Sequence, residues 1–310
     1  VNPLAHELAS LGRSLGPTVE WEHPLGALTT YRVGGPAALF VEVPDEAGLV
    51  AVAEAWAGRD VPVLVLGRGS NLLVADKGFE GLVISLGAGF ETLAIEGTRV
   101  RAGAALSLPV LSRRTAAAGL RGLEWAVGVP GSVGGAVRMN AGGHGSDTAA
   151  TLVGYRWVDL TTGSVTESPA ARLEPGYRRT TLAQTDVVVT GQYGLVSGDP
   201  AEGAAEIAEI VRWRRANQPG GSNAGSVFAN PEGDSAGRLI EACGLKGLRV
   251  GSAVVSTKHA NFIQADPGGS ADDVVALMER VRTTVAEATG IELRPEVRLI
   301  GFSDSAIGAR

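Results

Sequence analysis

The chain's apolar positions follow two periods in turn. From His6 to Leu15 they recur every three or four residues, which predicts a short leading helix. Ala37 to Val43 reads as a strand, Asp45 is placed to cap a helix running to about Ala57, and the apolar run Val61-Pro-Val-Leu-Val-Leu66 reads as a buried strand. This is a β-α-β opening with a loop after its second strand. Thr98 to Gly103 predicts a strand and Leu108 to Ala118 a helix. Val153 to Leu160 alternates with period two, Thr161-Thr-Gly-Ser164 is a turn, Val165 starts the return strand of a hairpin, and Thr185 to Val196 is a further strand. Ser197-Gly-Asp-Pro200 marks a boundary, because Gly and Pro stop regular structure there.

A different region follows that boundary. Ala201 to Asn217 is helical, and its basic tail Arg212-Trp-Arg-Arg215 suits a helix C-terminus. Gln218 to Gly225 is a loop, Ser226 to Phe228 is short and apolar, and Asp234 or Ser235 can cap a helix ending near Cys243-Gly244. Ser270-Ala-Asp-Asp273 has the form of a capping box with Asp in the place of Glu, and opens a helix through about Ala288. Ile291 to Ile300 is predicted to return as one strand. Strands and helices are mixed without strict alternation, so the fold class expected is α+β.

The 310 residues suffice for two or three domains, and 45% hydrophobic with 19% charged residues supplies a substantial core. A net charge of −6 without a basic stripe argues against a nucleic-acid partner. The lone Cys243 has no partner for an internal disulfide, which fits a reducing cytosol. No apolar run approaches the roughly 20 residues that span a bilayer. The expectation is a cytoplasmic protein without membrane insertion, and its oligomeric state stays open. The scattered histidines, His144 among them, lack metal-ligand spacing. Cys243 lies on a predicted helix without a partner base, as a core cysteine does.

The 44 glycines concentrate in loops. Gly67-Arg-Gly-Ser-Asn71 follows the strand ending at Leu66, and Val129-Pro-Gly-Ser-Val-Gly-Gly135 continues through Asn140-Ala-Gly-Gly-His-Gly145. Glycine lets backbone N–H groups approach a phosphate closely. Two such loops could hold the two ends of a long dinucleotide, although a surface turn would also explain either one alone.

The motifs and their order resemble the UDP-N-acetylenolpyruvoylglucosamine reductase family of flavoenzymes. The resemblance is carried by Thr30-Tyr-Arg-Val-Gly-Gly-Pro36, Leu66-Gly-Arg-Gly-Ser-Asn71, Gly128-Val-Pro-Gly-Ser-Val-Gly-Gly135, Asn140-Ala-Gly-Gly143 and Gly176-Tyr-Arg178. It continues with Asn223-Ala-Gly-Ser-Val-Phe228, Leu245-Lys-Gly247, Lys258-His-Ala-Asn-Phe262 and Pro295-Glu-Val-Arg298. It implies a two-subdomain FAD-binding fold of the vanillyl-alcohol-oxidase type plus a C-terminal α+β substrate domain. The segments expected are 1–84 completed by 296–310, then 85–198, then 199–295. It also implies non-covalent FAD, NADPH as hydride donor and a UDP-sugar substrate, in peptidoglycan precursor synthesis. Pro36 follows Gly34-Gly35 where some relatives in the wider fold carry a tethering histidine, so no covalent link to FAD is expected.

Carried over residue by residue, the resemblance assigns cofactor contacts to Tyr31, Arg32 and Gly34, and to Gly67, Arg68, Gly69, Ser70 and Asn71. From the second loop it adds Gly128, Pro130, Gly131, Ser132, Gly134 and Gly135, then Asn140, Ala141 and Gly142. The implied reaction saturates an enol ether of pyruvate. Arg178 would hold the carboxylate, since its planar fork suits that group, although alone it reads as a surface arginine. Glu296 would donate to the developing enolate as a buried, protonated acid, although a salt bridge with Arg294 or Arg298 also suits it. Ser226 would protonate carbon, and the competing reading is a turn-stabilising hydroxyl. Tyr177, Asn223, Asn230, Lys246, Lys258 and His259 are implied substrate contacts.

The chain departs from the family pattern at Ala229, which stands where a lysine is frequent. The stretch between Arg178 and Asn223 is too short for the tyrosine-bearing substrate loop of one branch, which places the chain in the branch lacking it; Tyr193 lies in a strand pattern and is not that tyrosine. The competing function is another non-covalent FAD oxidase or dehydrogenase of the wider fold, against which Ser226 and Glu296 discriminate.

Overall fold

The computed structural model describes residues 3–303. The chain divides into two compact units. The first comprises Val1–Trp21, Leu39–Arg68 and Gly81–Arg214; the second comprises Glu22–Ala38, Gly69–Glu80 and Arg215–Arg310. The expected completion of the first domain by 296–310 falls partly outside the described residues.

The first unit is built on a five-stranded antiparallel sheet in the order Val165–Pro169, Leu152–Asp159, Asp186–Gly194, Arg99–Gly103, Leu93–Glu96. The helices Leu108–Ala117 and Val133–Met139 contribute to its core, where Leu108, Leu111, Val133 and Val137 join Leu152, Tyr155, Val188 and Tyr193. Burying each such side chain contributes roughly 1.5–3 kcal/mol. Pro109 sits in the first turn of the first helix, where its missing N–H costs nothing. A second sheet runs Val19–Pro24, Pro36–Val43, Phe79–Leu86, Val63–Leu66. Its final pair is parallel, with Val63 opposite Leu82. The helix Glu46–Trp56 is capped by the Asp45 carboxylate, which accepts from the Gly48 amide at 2.9 Å. Arg156 grips Glu46 with two bonds of 2.7 and 2.8 Å, tying that helix to the larger sheet. The helix Pro200–Asn217 buries Ile207 and Ile210 against Ala116 and Val127.

In the second unit the long helix Ala271–Thr289 packs on the antiparallel strands Arg249–Val250, Ala253–Val255 and Ile263–Ala265. Its buried residues Val274, Leu277, Met278, Val281 and Val285 keep helical spacing. The core includes Tyr31, Leu73, Val227, Phe228, Leu239 and Val297. Ser270 caps the long helix as expected, accepting from Asp273 N at 3.2 Å. The reciprocal arm of the capping box is absent. The Asp273 carboxylate turns to Ser252, taking bonds of 2.7 Å from its N–H and hydroxyl, and Ser252 Oγ accepts from Ser270 N at 2.8 Å instead. Asp is one methylene shorter than Glu, which explains the exchange.

Two element expectations need correction. The strand expected over Ile291–Ile300 is confined to Arg298–Ile300, parallel to Leu72–Val74. Pro295 lacks an N–H and restricts the residue before it, so 291–297 stays irregular. The second glycine-rich loop contains the helix Val133–Met139, capped by Ser132 and closed by Asn140 in the left-handed region at φ +43°. The two strands of the opening share one sheet, with Phe79–Leu86, not anticipated from the sequence, between them.

Candidate active site

In the first unit the strand Val63–Leu66 delivers Gly67 and Arg68 to the surface. The two glycine loops adjoin here, since a Cβ on Gly67 would lie 2.8 Å from Ser132 Oγ. Among the described residues the backbone N–H groups of Gly131 and Ser132 meet no protein acceptor. Pro130 and Gly135 are exposed and Gly134 is half-buried. The Gly128 carbonyl accepts from the Arg214 guanidinium, and the His144 ring lies beside the same residue. Burial, then the charge of Arg214, lowers the pKa of His144.

Arg178 is joined to the predicted cofactor segment. Its Nη2 donates to the Gly142 carbonyl at 2.9 Å, and its guanidinium lies 5.2 Å from the centre of the exposed Tyr177 ring. Asn140 fixes the same loop. Its Nδ2 donates to Asp147 Oδ2 at 3.0 Å and to the Gly176 carbonyl at 3.2 Å, while its Oδ1 accepts from Ala149 N at 2.9 Å. Ala141 anchors the other side, its carbonyl accepting the Thr148 N–H and hydroxyl at 2.9 Å each. Arg32, Asn140 and Arg178 all have positive φ, at 57°, 43° and 53°. Such non-glycine geometry costs on the order of 1–3 kcal/mol per residue and persists where its surroundings dictate it. Within the first unit a cavity of about 230 Å³ adjoins Asn140, lined in part by Val137, Leu152, Leu173 and Thr180.

In the second unit Ser226 and Glu296 lie on paired segments. Glu296 N donates to the Val227 carbonyl at 2.8 Å and Ala229 N to the Arg294 carbonyl at 2.9 Å, forming an isolated bridge between Phe228 and Pro295. Asn71 braces the pair: its Nδ2 donates to the Glu296 carbonyl at 3.2 Å, and its own carbonyl accepts from Arg298 N at 3.0 Å. Both Ser226 and Glu296 are half-buried, so Glu296 is less enclosed than the sequence reading required. The Ser226 hydroxyl meets no protein partner among the described residues, and a Cβ on the preceding Gly225 would find only open space.

The backbone N–H groups of Gly69, Ser70 and Asn71 also meet no acceptor among the described residues. Gly69 has φ +57°, and a Cβ there would fall 2.3 Å from the Leu28 carbonyl oxygen. Gly34, at φ +110°, packs as closely on Val74. These glycines therefore serve close backbone packing as well as open donors. Arg32 is exposed, whereas Tyr31 is fully buried and its hydroxyl has no partner among the described residues.

The substrate candidates are engaged locally. The Asn223 amide donates to Gly220 and Gly221 and accepts from Gly225 N at 3.0 Å, which shapes the turn before Ser226. Asn230 accepts from Ala236 N at 3.1 Å. Lys246 pairs with Glu241 at 2.7 Å, and Lys258 donates to the Arg215 carbonyl. His259 Nδ1 accepts from Asn261 N at 3.2 Å; burial and then the Lys246 charge lower its pKa, favouring the neutral ring that this bond requires. Arg178 belongs to the first unit, and Ser226 and Glu296 to the second.

Sequence reasoning quoted Asn261 within a motif without giving it a task, yet its carboxamide holds both backbone groups of Phe228. A polar residue between the apolar neighbours Ala260 and Phe262 was the available signal. Arg214 was read only as part of a basic helix end. Among the described residues no acidic, histidine or cysteine group has the arrangement to hold a metal ion, and no helix is long and apolar enough to cross a membrane.

Residues 37–168 match the FAD binding domain family, and residues 217–300 match the C-terminal domain of UDP-N-acetylenolpyruvoylglucosamine reductase. A protein named UDP-N-acetylenolpyruvoylglucosamine reductase from Rubrobacter xylanophilus is 43% identical over 290 residues, spanning 93% of this chain and 97% of its own. UDP-N-acetylenolpyruvoylglucosamine reductase 2 from Symbiobacterium thermophilum is 42% identical over 312 residues, spanning 98% of both. The crystal structure of the UDP-N-acetylenolpyruvylglucosamine reductase from Thermus caldophilus matches with a TM-score of 0.80 at 38% identity, covering 91% of this chain and 98% of that one.

Proposed function

The chain belongs to the UDP-N-acetylenolpyruvoylglucosamine reductase family, and we propose that it reduces the enolpyruvyl group of UDP-N-acetylglucosamine enolpyruvate with electrons from NADPH, giving UDP-N-acetylmuramate. It is an FAD-binding oxidoreductase of peptidoglycan precursor synthesis. The residues fit that cofactor. The N–H groups of Gly69, Ser70 and Asn71, and of Gly131 and Ser132, meet no acceptor among the described residues and suit an anion such as a diphosphate. Bound FAD supplies two-electron hydride chemistry that no side chain offers.

The protein's task is to manage charge and one proton. A hydride on the terminal methylene carbon and a proton on its neighbour saturate the double bond, and NADPH leaves as NADP⁺. The electron pair displaced from the double bond delocalises into the substrate carboxylate. Arg178 pairs with that carboxylate, held for the task by Gly142 and the Tyr177 ring. Glu296 stabilises the developing enolate from the segment paired with Val227–Ala229. Ser226 gives its hydroxyl proton to carbon and regains one from solvent, a transfer driven by the basicity of the enolate. The observation that carries this reading is the half-buried Ser226 hydroxyl, without a partner among the described residues and fixed on the segment bonded to Glu296.

The variants Arg178→Ala, Ser226→Ala and Glu296→Ala test the assignment in assays of NADPH oxidation dependent on the enolpyruvyl sugar nucleotide. The expected result is turnover lowered at least a hundredfold in each, with the FAD absorption spectrum retained. Unchanged turnover in any one removes that residue's role.

A further inference from the structure

We infer that Asn261 is the positioning residue for Ser226. The inference rests on the proton-donor reading above and adds the part that aims the donor. Asn261 is only 3% exposed. Its Oδ1 accepts from Phe228 N at 3.0 Å and its Nδ2 donates to the Phe228 carbonyl at 2.8 Å. The carboxamide thus offers Phe228 the donor–acceptor pair that a neighbouring strand would. The Asn261 main-chain carbonyl accepts from Val227 N at 2.9 Å, and the Val227 carbonyl takes Glu296 N at 2.8 Å.

All four backbone groups that follow Ser226 are therefore paired, three of them by one asparagine. On the other side of Ser226 stand Gly225, at φ +80° with open space about it, and the Asn223 turn. The flexible side of the serine faces glycine, and the rigid side is Asn261.

Asn261 is itself held in place. Its N–H goes to His259 Nδ1 at 3.2 Å, and the buried Ser256 hydroxyl accepts from Lys258 N and His259 N, closing the turn beneath it. A serine is a weak acid, so proton delivery depends on placing Oγ in line with the accepting carbon. A displacement of about 1 Å costs on the order of a hundredfold in such geometry. Alanine at 261 removes both side-chain bonds. Aspartate keeps the acceptor for Phe228 N but sets an oxygen against the Phe228 carbonyl.

The test uses FAD-loaded enzyme in anaerobic stopped-flow and separates flavin reduction by NADPH from reoxidation by the enolpyruvyl sugar nucleotide. For Asn261→Ala and Asn261→Asp we expect reduction within twofold of the parent, reoxidation slowed at least tenfold, and a larger solvent deuterium isotope effect on reoxidation. Equal loss in both halves, or in neither, overturns the positioning role. Ser226→Ala separates the two ideas: if it reoxidises at the parent rate, the proton-donor reading fails, whereas slow Ser226→Ala beside fast Asn261 variants overturns only the role of Asn261. Amide hydrogen exchange in the unsubstituted enzyme is independent of whether variants fold. Val227 and Phe228 are expected to be protected, and free exchange at both overturns the clamp.

Discussion

Asn140→Ala is expected to destabilise the protein by about 4 kcal/mol. The asparagine is 6% exposed and makes three side-chain bonds, to Asp147, Gly176 and Ala149. Net losses of about 1 kcal/mol for each neutral bond, and somewhat more for the one to the carboxylate, bring the sum to roughly 3 kcal/mol. Alanine must also adopt φ +43°, where the asparagine side chain is tolerated and a plain Cβ adds roughly 1 kcal/mol or more. Asn140→Gly loses the same bonds without that backbone strain, so it should be the more stable of the two by about 1 kcal/mol. Urea unfolding at a fixed excess of FAD measures both, since bound ligand adds its own stabilisation. A loss below about 1 kcal/mol in Asn140→Ala, or alanine outperforming glycine, would refute the reasoning.

Further outcomes follow from other sites. Arg178→Lys keeps the charge but loses the planar fork and the bond to Gly142, so kcat should fall at least tenfold in steady-state assays while the FAD spectrum is unchanged. Tyr31→Phe removes a buried hydroxyl that has no partner among the described residues, so the FAD-free protein should lose no stability in thermal unfolding; a loss above about 1 kcal/mol would reveal a bond made by that group. Gly69→Ala places a Cβ 2.3 Å from the Leu28 carbonyl oxygen at φ +57°, and should weaken FAD binding in fluorescence titration together with stability. The folded-state pKa of His259 is lowered, so the unfolded chain takes up its proton first as pH falls. This contribution is full above about pH 6.5 and is lost as pH drops toward the folded value. His259→Gln should flatten the pH dependence of the melting temperature over that interval.

Elements with strong periodicity and explicit caps were legible in the sequence. The helices Glu46–Trp56 and Ala271–Thr289 begin after Asp45 and Ser270 as their side chains dictate. The loops were harder, because their content is tertiary. Val133–Met139 is a helix despite Gly134 and Gly135, since Val133, Ala136 and Val137 are buried in the core. The apolar spacing over 291–300 looked strand-like, but Pro295 and pairing to Val227–Ala229 decide otherwise. The site residues could be found through the ordered motifs, not through spacing. Three of them serve the fold as well: Asn71, Asn140 and Asn223 spend their amides on bracing the loops that carry Glu296, Arg178 and Ser226. A sequence shows that an asparagine is present, but the partners Glu296 of Asn71 and Gly176 of Asn140 lie far along the chain.

The most direct measurement mixes NADPH-bleached, oxygen-free enzyme with the enolpyruvyl sugar nucleotide in deuterated water and analyses the product. Yellow colour should return in step with one equivalent of the lactyl ether, carrying solvent deuterium at the carbon next to the carboxylate. Colour that returns only when oxygen is admitted, with the enol ether left intact, would contradict the account.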